Sequence, residues 1–203
     1  MQVSTHFKQA ATATLLTAGL LFAGTYLMGK YPFFLLLNGN GGSWLDELFK
    51  WWTYLGDGII WVVAVVATFY YRRNKLLLVL LCLIISTLLS QGGKHLLFPD
   101  ALRPSAVPVE LPAIHTVPGV ELHTSQSFPS GHTTTAFTIF LLACQLIPHR
   151  WTLLGGYLLA AGAGYSRIYL AQHFPSDVAA GMLVGIFTVS ISIYIESKTK
   201  KSR

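Results

Sequence analysis

Residues 75–90 read KLLLVLLCLIISTLLS. After the opening lysine there is no charge, and no Gly or Pro breaks the run. Such a stretch is nearly long enough to cross about 30 Å of hydrocarbon as a helix. It carries no alternation that would suit a half-buried strand. It ends on Gln91-Gly92-Gly93-Lys94, a polar exit with two helix-weakening glycines. The run decides the class of the molecule, because five more like it flank it on both sides.

The apolar stretches fall at about Ala11–Met28, Gly58–Tyr71, Lys75–Ser90, His132–Ile147, Trp151–Tyr169 and Ser176–Ile195. They predict an all-α, polytopic membrane protein with six transmembrane helices, forming one domain over residues 1–203. Composition agrees: 53% of the 203 residues are hydrophobic, 11% are charged, and the mean hydropathy is +0.54. The first stretch reads as a retained helix rather than a cleaved signal, since its n-region is weakly basic and no clear small-x-small site follows. Tyr71 to Lys75 and Pro148 to Arg150 read as tight hairpins. Residues 44–52, WLDELFKWW, read as an amphipathic interfacial helix or as an aromatic belt on the second span.

The net charge of +6 does not point to nucleic acid, because the basic residues are dispersed between apolar runs. If six helices alternate, Lys8, Arg72, Arg73, Lys75, Arg150, Lys198, Lys200, Lys201 and Arg203 share one side. Lys30, Lys50, Lys94, Arg103 and Arg167 share the other, and only Glu196 among the acids joins the first group. The positive-inside bias then places both termini in the cytoplasm of a bacterial inner membrane. The long polar segment from Phe98 to Phe128 becomes an outer-face, periplasmic active-site loop. Cys82 and Cys144 lie within apolar runs and read as core residues. No short-spaced Cys/His cluster suggests a metal.

Chemistry collects on the outer side in three motifs. In the last of them, Ser166-Arg167 precedes His173, and Asp177 follows His173 by four residues with Pro175 between them. Pro175 suits the first turn of a helix. Asp177 on that turn is placed to reach back to His173, fixing its tautomer and freeing one ring nitrogen as a nucleophile. Equally, it is an acid favoured at a helix N-terminus. The second motif is Pro129-Ser130-Gly131-His132 at the start of the fourth apolar run. Gly131 permits close backbone approach to an anion, Ser130 is a cap or a phosphate donor, and His132 is a candidate general acid. As a plain helix-entry turn the same four residues are unremarkable. Lys94 and Arg103-Pro104 form the first motif; with Arg167 they supply three cations for phosphate, or simply anchors to lipid headgroups.

These residues resemble the type 2 phosphatidic acid phosphatase superfamily, which includes bacterial lipid phosphatases, glucose-6-phosphatase and the vanadium haloperoxidases. Its signature is Lys-x6-Arg-Pro, Pro-Ser-Gly-His, and Ser-Arg-x5-His-x3-Asp. The second and third parts are complete here. The first departs, with eight residues between Lys94 and Arg103 instead of six. The resemblance implies that His173 forms a phosphohistidine, that Asp177 orients it, and that His132 protonates the leaving oxygen. It implies that Lys94, Arg103, Ser130, Gly131, Ser166 and Arg167 bind the phosphate, with no metal and no cofactor. The expected partners are the bilayer and a lipid phosphate, without nucleic acid. Phosphatidylglycerophosphate, undecaprenyl diphosphate, phosphatidic acid and the phosphates of lipid A are candidates. A lipid phosphotransferase is the alternative within the enzyme class; a non-catalytic lipid-binding or transport protein is the alternative outside it. His95, His115 and His123 match nothing in the signature and read as exposed or interfacial.

Overall fold

The computed structural model describes residues 3–107 and 114–201. Part of the Phe98 to Phe128 loop, the terminal Ser202 and Arg203, and the side chains of Lys200 and Lys201 lie outside the described residues. The chain is all-helical, with no strand among the described residues. The helices are α1 (Thr5–Met28), α2 (Lys30–Leu37), α3 (Ser43–Trp52), α4 (Ile59–Tyr71), α5 (Leu76–Gly92), α6 (Gly131–Leu146), α7 (Arg150–Tyr169) and α8 (Pro175–Lys201).

Each of the six apolar runs is a helix, with ends displaced by a few residues. The largest displacements are equal: α1 starts at Thr5, ahead of the Ala11 boundary read from hydropathy, and α8 continues to Lys201, past Ile195. The segments Thr5–Met28, Arg73–Leu97 and Pro175–Thr199 are long and apolar enough to cross a bilayer alone. α3 with its following turn and α4 form a pair bent by 51°, the geometry of a broken span or a re-entrant loop, so three or four spans pass on length and composition where the sequence predicts six. α6 has 16 residues, roughly 24 Å of helix, and its exposed surface is small because it is the central strut. α2 was not expected. It starts after Gly29, whose φ of 85° reverses the chain out of α1.

The core lies where α8 crosses α6. Phe137, Leu141, Val178, Ala179 and Met182 are buried there. Two glycines one turn apart, Gly181 and Gly185, let the backbones close up in a small-xxx-small contact. A Cβ on Gly181 would lie 2.7 Å from Ser130 O and 3.0 Å from Thr133 Cβ. α1 packs on the other side through Ala10, Thr14 and Ala18, all fully buried.

The bundle has two distinct ends. At one, Ser4 Oγ donates to Cys144 O (2.9 Å), Arg72 Nη1 to Leu146 O (2.7 Å), and Lys75 Nζ lies 3.8 Å from Glu196 Oε1. At the other, Asn38 Nδ2 donates to Ile168 O (2.9 Å) and Ser130 N to Asp177 O (3.0 Å). All three motifs sit at this second end. α3 crosses it with Trp44 and Trp51 exposed, while Trp52 Nε1 donates to Leu159 O (3.0 Å). His95 and His123 are exposed as expected. His115 is not: it is half-buried, 2.9 Å from Asp46 Oδ1, which also accepts from Tyr169 Oη (2.7 Å). The carboxylate that recruits it lies on α3, far away in sequence.

Candidate active site

The turn between α7 and α8 is locked by aromatic packing. Phe174 is fully buried, edge-on to Tyr31 (5.2 Å) and Phe34 (5.5 Å), with Lys30 Nζ 4.1 Å above its ring. Pro175 starts α8, and Asp177 in that first turn accepts from Phe174 N through Oδ2 (3.0 Å). The acid therefore caps the helix and also faces His173, combining the two roles the sequence left open. Its Oδ2 is 3.6 Å from His173 Nδ1, looser than a direct hydrogen bond. The tighter partner is Ser127, whose Oγ donates to Asp177 Oδ2 (2.5 Å) and lies 3.5 Å from His173 Nδ1. The Ser127 backbone carbonyl also accepts from the His173 ring. Nδ1 is thus held on the Ser127–Asp177 side, and Nε2 faces the cations.

Arg103 approaches Nε2 to 3.5 Å through Nη1. It is clamped by Ser125 O (2.9 Å on Nε), Gln172 O (3.1 Å) and Gln172 Oε1 (3.2 Å). Burial lowers its pKa, and the Asp177 carboxylate acts in the opposite sense. Arg167 is 7% exposed and donates Nη1 to Thr53 Oγ1 (2.6 Å). Its Nε is buried with no partner, a costly state for a charged donor. Lys94 sits in a π turn, Gly93–Leu97, that follows α5. A π turn takes more residues per turn than an α-helix, which absorbs extra chain before Arg103. Lys94 Nζ consequently stands 3.7 Å from where a Cβ on Gly131 would be.

Ser130 caps α6: its Oγ accepts from Thr133 N (3.4 Å) and Thr133 Oγ1 (2.9 Å), so its own O–H proton is spent on neither bond. Gly131 is the first residue of α6, where backbone N–H groups lack intrahelical partners, and it lies beside the Lys94 ammonium. Ser166 is buried beside them, but its hydroxyl donates to Ala163 O (2.7 Å), leaving only acceptor capacity. His132 follows Gly131, its Nε2 3.9 Å from Asp57 Oδ2. Gly56 makes that possible, since a Cβ there would be 2.5 Å from His132 O.

Around His173 the charge is lopsided. Its pKa is driven well below the usual imidazole value by burial first, then by Arg103, Arg167 and Lys94. Burial and the three cations thus favour the neutral imidazole. The nine residues read from the motifs all lie in this end of the bundle. Ser127, Asp57, Thr53, Gln172 and Ser90 are additional. Of these, only Asp57 carried a visible signal, as a lone acid between two glycines ahead of an apolar run.

Residues 75–201, well over half the chain, match the model of the PAP2 superfamily. An undecaprenyl-diphosphatase from Sulfolobus acidocaldarius is 37% identical over 78 residues, 36% of this chain and 35% of its own length. The chain thus spans about a third of that relative. The solved structure of LpxE from Aquifex aeolicus superposes with a TM-score of 0.68 at 30% identity, covering 79% of this chain and 92% of LpxE. A transmembrane PAP2-type phosphatidylglycerolphosphate phosphatase from Bacillus subtilis superposes with a TM-score of 0.66 over 98% of this chain and 100% of its own. At 21% identity that likeness speaks for the fold.

Proposed function

Since the chain belongs to the PAP2 superfamily and is a multi-pass membrane protein, we propose that it is a metal-independent lipid phosphatase working through a phosphohistidine. One observation carries the reading. Lys94, Arg103 and Arg167 surround a neutral His173, and a buried Arg167 Nε has nothing to bind. A phosphoryl group with three equatorial oxygens answers that arrangement.

In the first step Nε2 of His173 attacks phosphorus, a P–N bond forms, and the P–O bond to the lipid breaks. His132, protonated once the anionic substrate offsets the surrounding cations, gives that proton to the departing oxygen. Ser127 and Asp177 hold Nδ1–H while positive charge develops on the ring. In the second step His132 takes a proton from water, the water oxygen attacks phosphorus, and the P–N bond breaks. Inorganic phosphate leaves and both histidines return to their starting states. Lys94, Arg103, Arg167, Ser130 and the N–H groups at Gly131 stabilise the transferring group; Ser166 lines the site as an acceptor. The single domain spans all six long helices across an inner membrane. Its termini are cytoplasmic and its site lies at the outer membrane–water interface. Phosphomonoesters and diphosphates of lipids are both within this reading, and transfer to a hydroxyl acceptor is its nearest variant.

The test is phosphate release by purified protein from a panel of lipid phosphates in EDTA, beside His173→Ala. Turnover that drops by several powers of ten in the variant supports the nucleophile. Release that is equal in the two preparations removes it.

A further inference from the structure

A cavity of about 370 Å³ leads away from the phosphate cradle between α4, α5 and α6. That volume is in the range of small-molecule pockets. Lys94, Gly131 and His132 are among its lining residues. It therefore lies on the side of His132, the side from which a leaving group departs. Trp61 and Leu83 supply an apolar wall, while Asp57, Ser86, Thr87 and Ser90 supply a polar one.

For a slot meant only for hydrocarbon this polar wall is out of place. A buried hydroxyl without a partner is a cost that a ligand can relieve. Ser90 is 5% exposed, lines the cavity, and its Oγ has no hydrogen-bond partner. Ser86, 2% exposed, gives its proton to Leu83 O (3.1 Å), which leaves its lone pairs facing outward as acceptors. Asp57 commits one oxygen, Oδ1, to Ile59 N (3.2 Å) and leaves Oδ2 toward His132. The wall therefore offers acceptors together with hydroxyl and amide donors, Gln91 among them, and a carboxylate at its rim. Hydroxyl groups on a leaving group satisfy all of these. A second phosphate bonded directly to the first would instead be brought against the Asp57 carboxylate, beside His132.

We infer that this cavity is a leaving-group subsite selecting lipid phosphomonoesters whose phosphate sits on a hydroxyl-bearing polyol or sugar, and disfavouring lipid diphosphates. The inference rests on the lipid-phosphatase reading and narrows its substrate class.

The experiment compares kcat/KM of the purified protein for four lipids in the same mixed micelle. Two bear hydroxyls on the leaving group, phosphatidylglycerophosphate and a glycolipid sugar phosphate. Two do not, phosphatidic acid and a polyprenyl diphosphate. The first pair should exceed the second by about tenfold or more, the scale on which sites built for hydroxyl recognition discriminate. Asp57→Asn keeps the helix-capping oxygen but removes the charge. It should raise the diphosphate-to-glycolipid ratio of kcat/KM several-fold, whatever it does to either rate alone. Ser90→Ala and Thr87→Val should lower the hydroxyl-bearing lipids more than phosphatidic acid. A diphosphate handled as well as the sugar phosphate, with a ratio unmoved by Asp57→Asn, overturns the subsite and leaves the lipid phosphatase standing. Phosphate release from none of the four overturns both.

Discussion

Ser127 stands between the two residues that the sequence pairs directly, donating its hydroxyl to Asp177 Oδ2 at 2.5 Å while lying 3.5 Å from His173 Nδ1. The direct His173–Asp177 separation, 3.6 Å, is longer. In the proposed mechanism, control of the His173 tautomer therefore includes a serine that carries no charge and lies outside all three motifs. Ser127→Ala should lower kcat by about tenfold to a hundredfold, the worth of a hydrogen bond to a charged group. KM should change little, because Ser127 does not meet the phosphate. Ser127→Thr should restore part of the rate. Steady-state kinetics on one lipid checks this; a Ser127→Ala enzyme with normal kcat would leave Asp177 acting alone.

The depressed pKa of His173 sets a pH signature. Attack requires the neutral ring, so protonation silences the enzyme only well below the usual imidazole range. Burial is the main cause and Arg103 the next. Arg103→Gln removes a positive charge, raises the His173 pKa, and should move the acid limb of kcat/KM toward neutral pH. Comparing the two enzymes on the same substrate cancels the ionisation of the phosphate itself. An acid limb that stays in place would mean that another group controls it.

Lys94 tests whether the altered spacing matters. With its ammonium beside Gly131, Lys94→Ala should cost turnover on the same scale as Arg103→Ala, about tenfold to a hundredfold each. Gly131→Ala should raise KM, because its Cβ would stand 3.2 Å from Ser90 Oγ and 3.7 Å from Lys94 Nζ. Near-normal kinetics in Lys94→Ala would make Lys94 a headgroup anchor only.

Vanadate should inhibit, and EDTA should not. A five-coordinate vanadate bonded to His173 Nε2 would mimic the transferring phosphoryl group amid Lys94, Arg103 and Arg167. Activity lost to EDTA and restored by magnesium would contradict a site run by side-chain cations.

Both termini should face the cytoplasm, with the motif end outside. Cys82 and Cys144 are free and buried, so cysteines introduced at Ser105 or Ser202 can be read against a low background. An impermeant thiol reagent applied to intact cells should label the first and spare the second. The reverse pattern would invert the molecule.

The long helices were legible because an apolar run needs no partner to declare itself. So was the family, because Pro129 to His132 and Ser166 to Asp177 keep their spacing within single turns or adjacent ones. What escaped the reading depends on contacts between elements. Asp57 meets His132 only because α4 enters the bundle beside the start of α6. Ser127 meets Asp177 only because the loop before α6 lies against the turn before α8. His115 looked like an idle loop residue until α3 brought Asp46 to it. The eight-residue spacing after Lys94 looked like a defect, since a π turn has no signature beyond the two glycines that precede it.

The hydrogen bond from Ser130 N to Asp177 O, with Gly181 pressed on Ser130 O one turn further along α8, gives the molecule a mechanical property. His132 opens α6 and His173 lies in the turn that leads into α8, so this contact fixes one against the other. Their gap is the thickness of a joint from which one methyl group is missing. A shim of that size at Gly181, out of reach of any substrate, would pry the two histidines apart. Turnover in such a variant would report the fit of two helices rather than the loss of any group that performs chemistry.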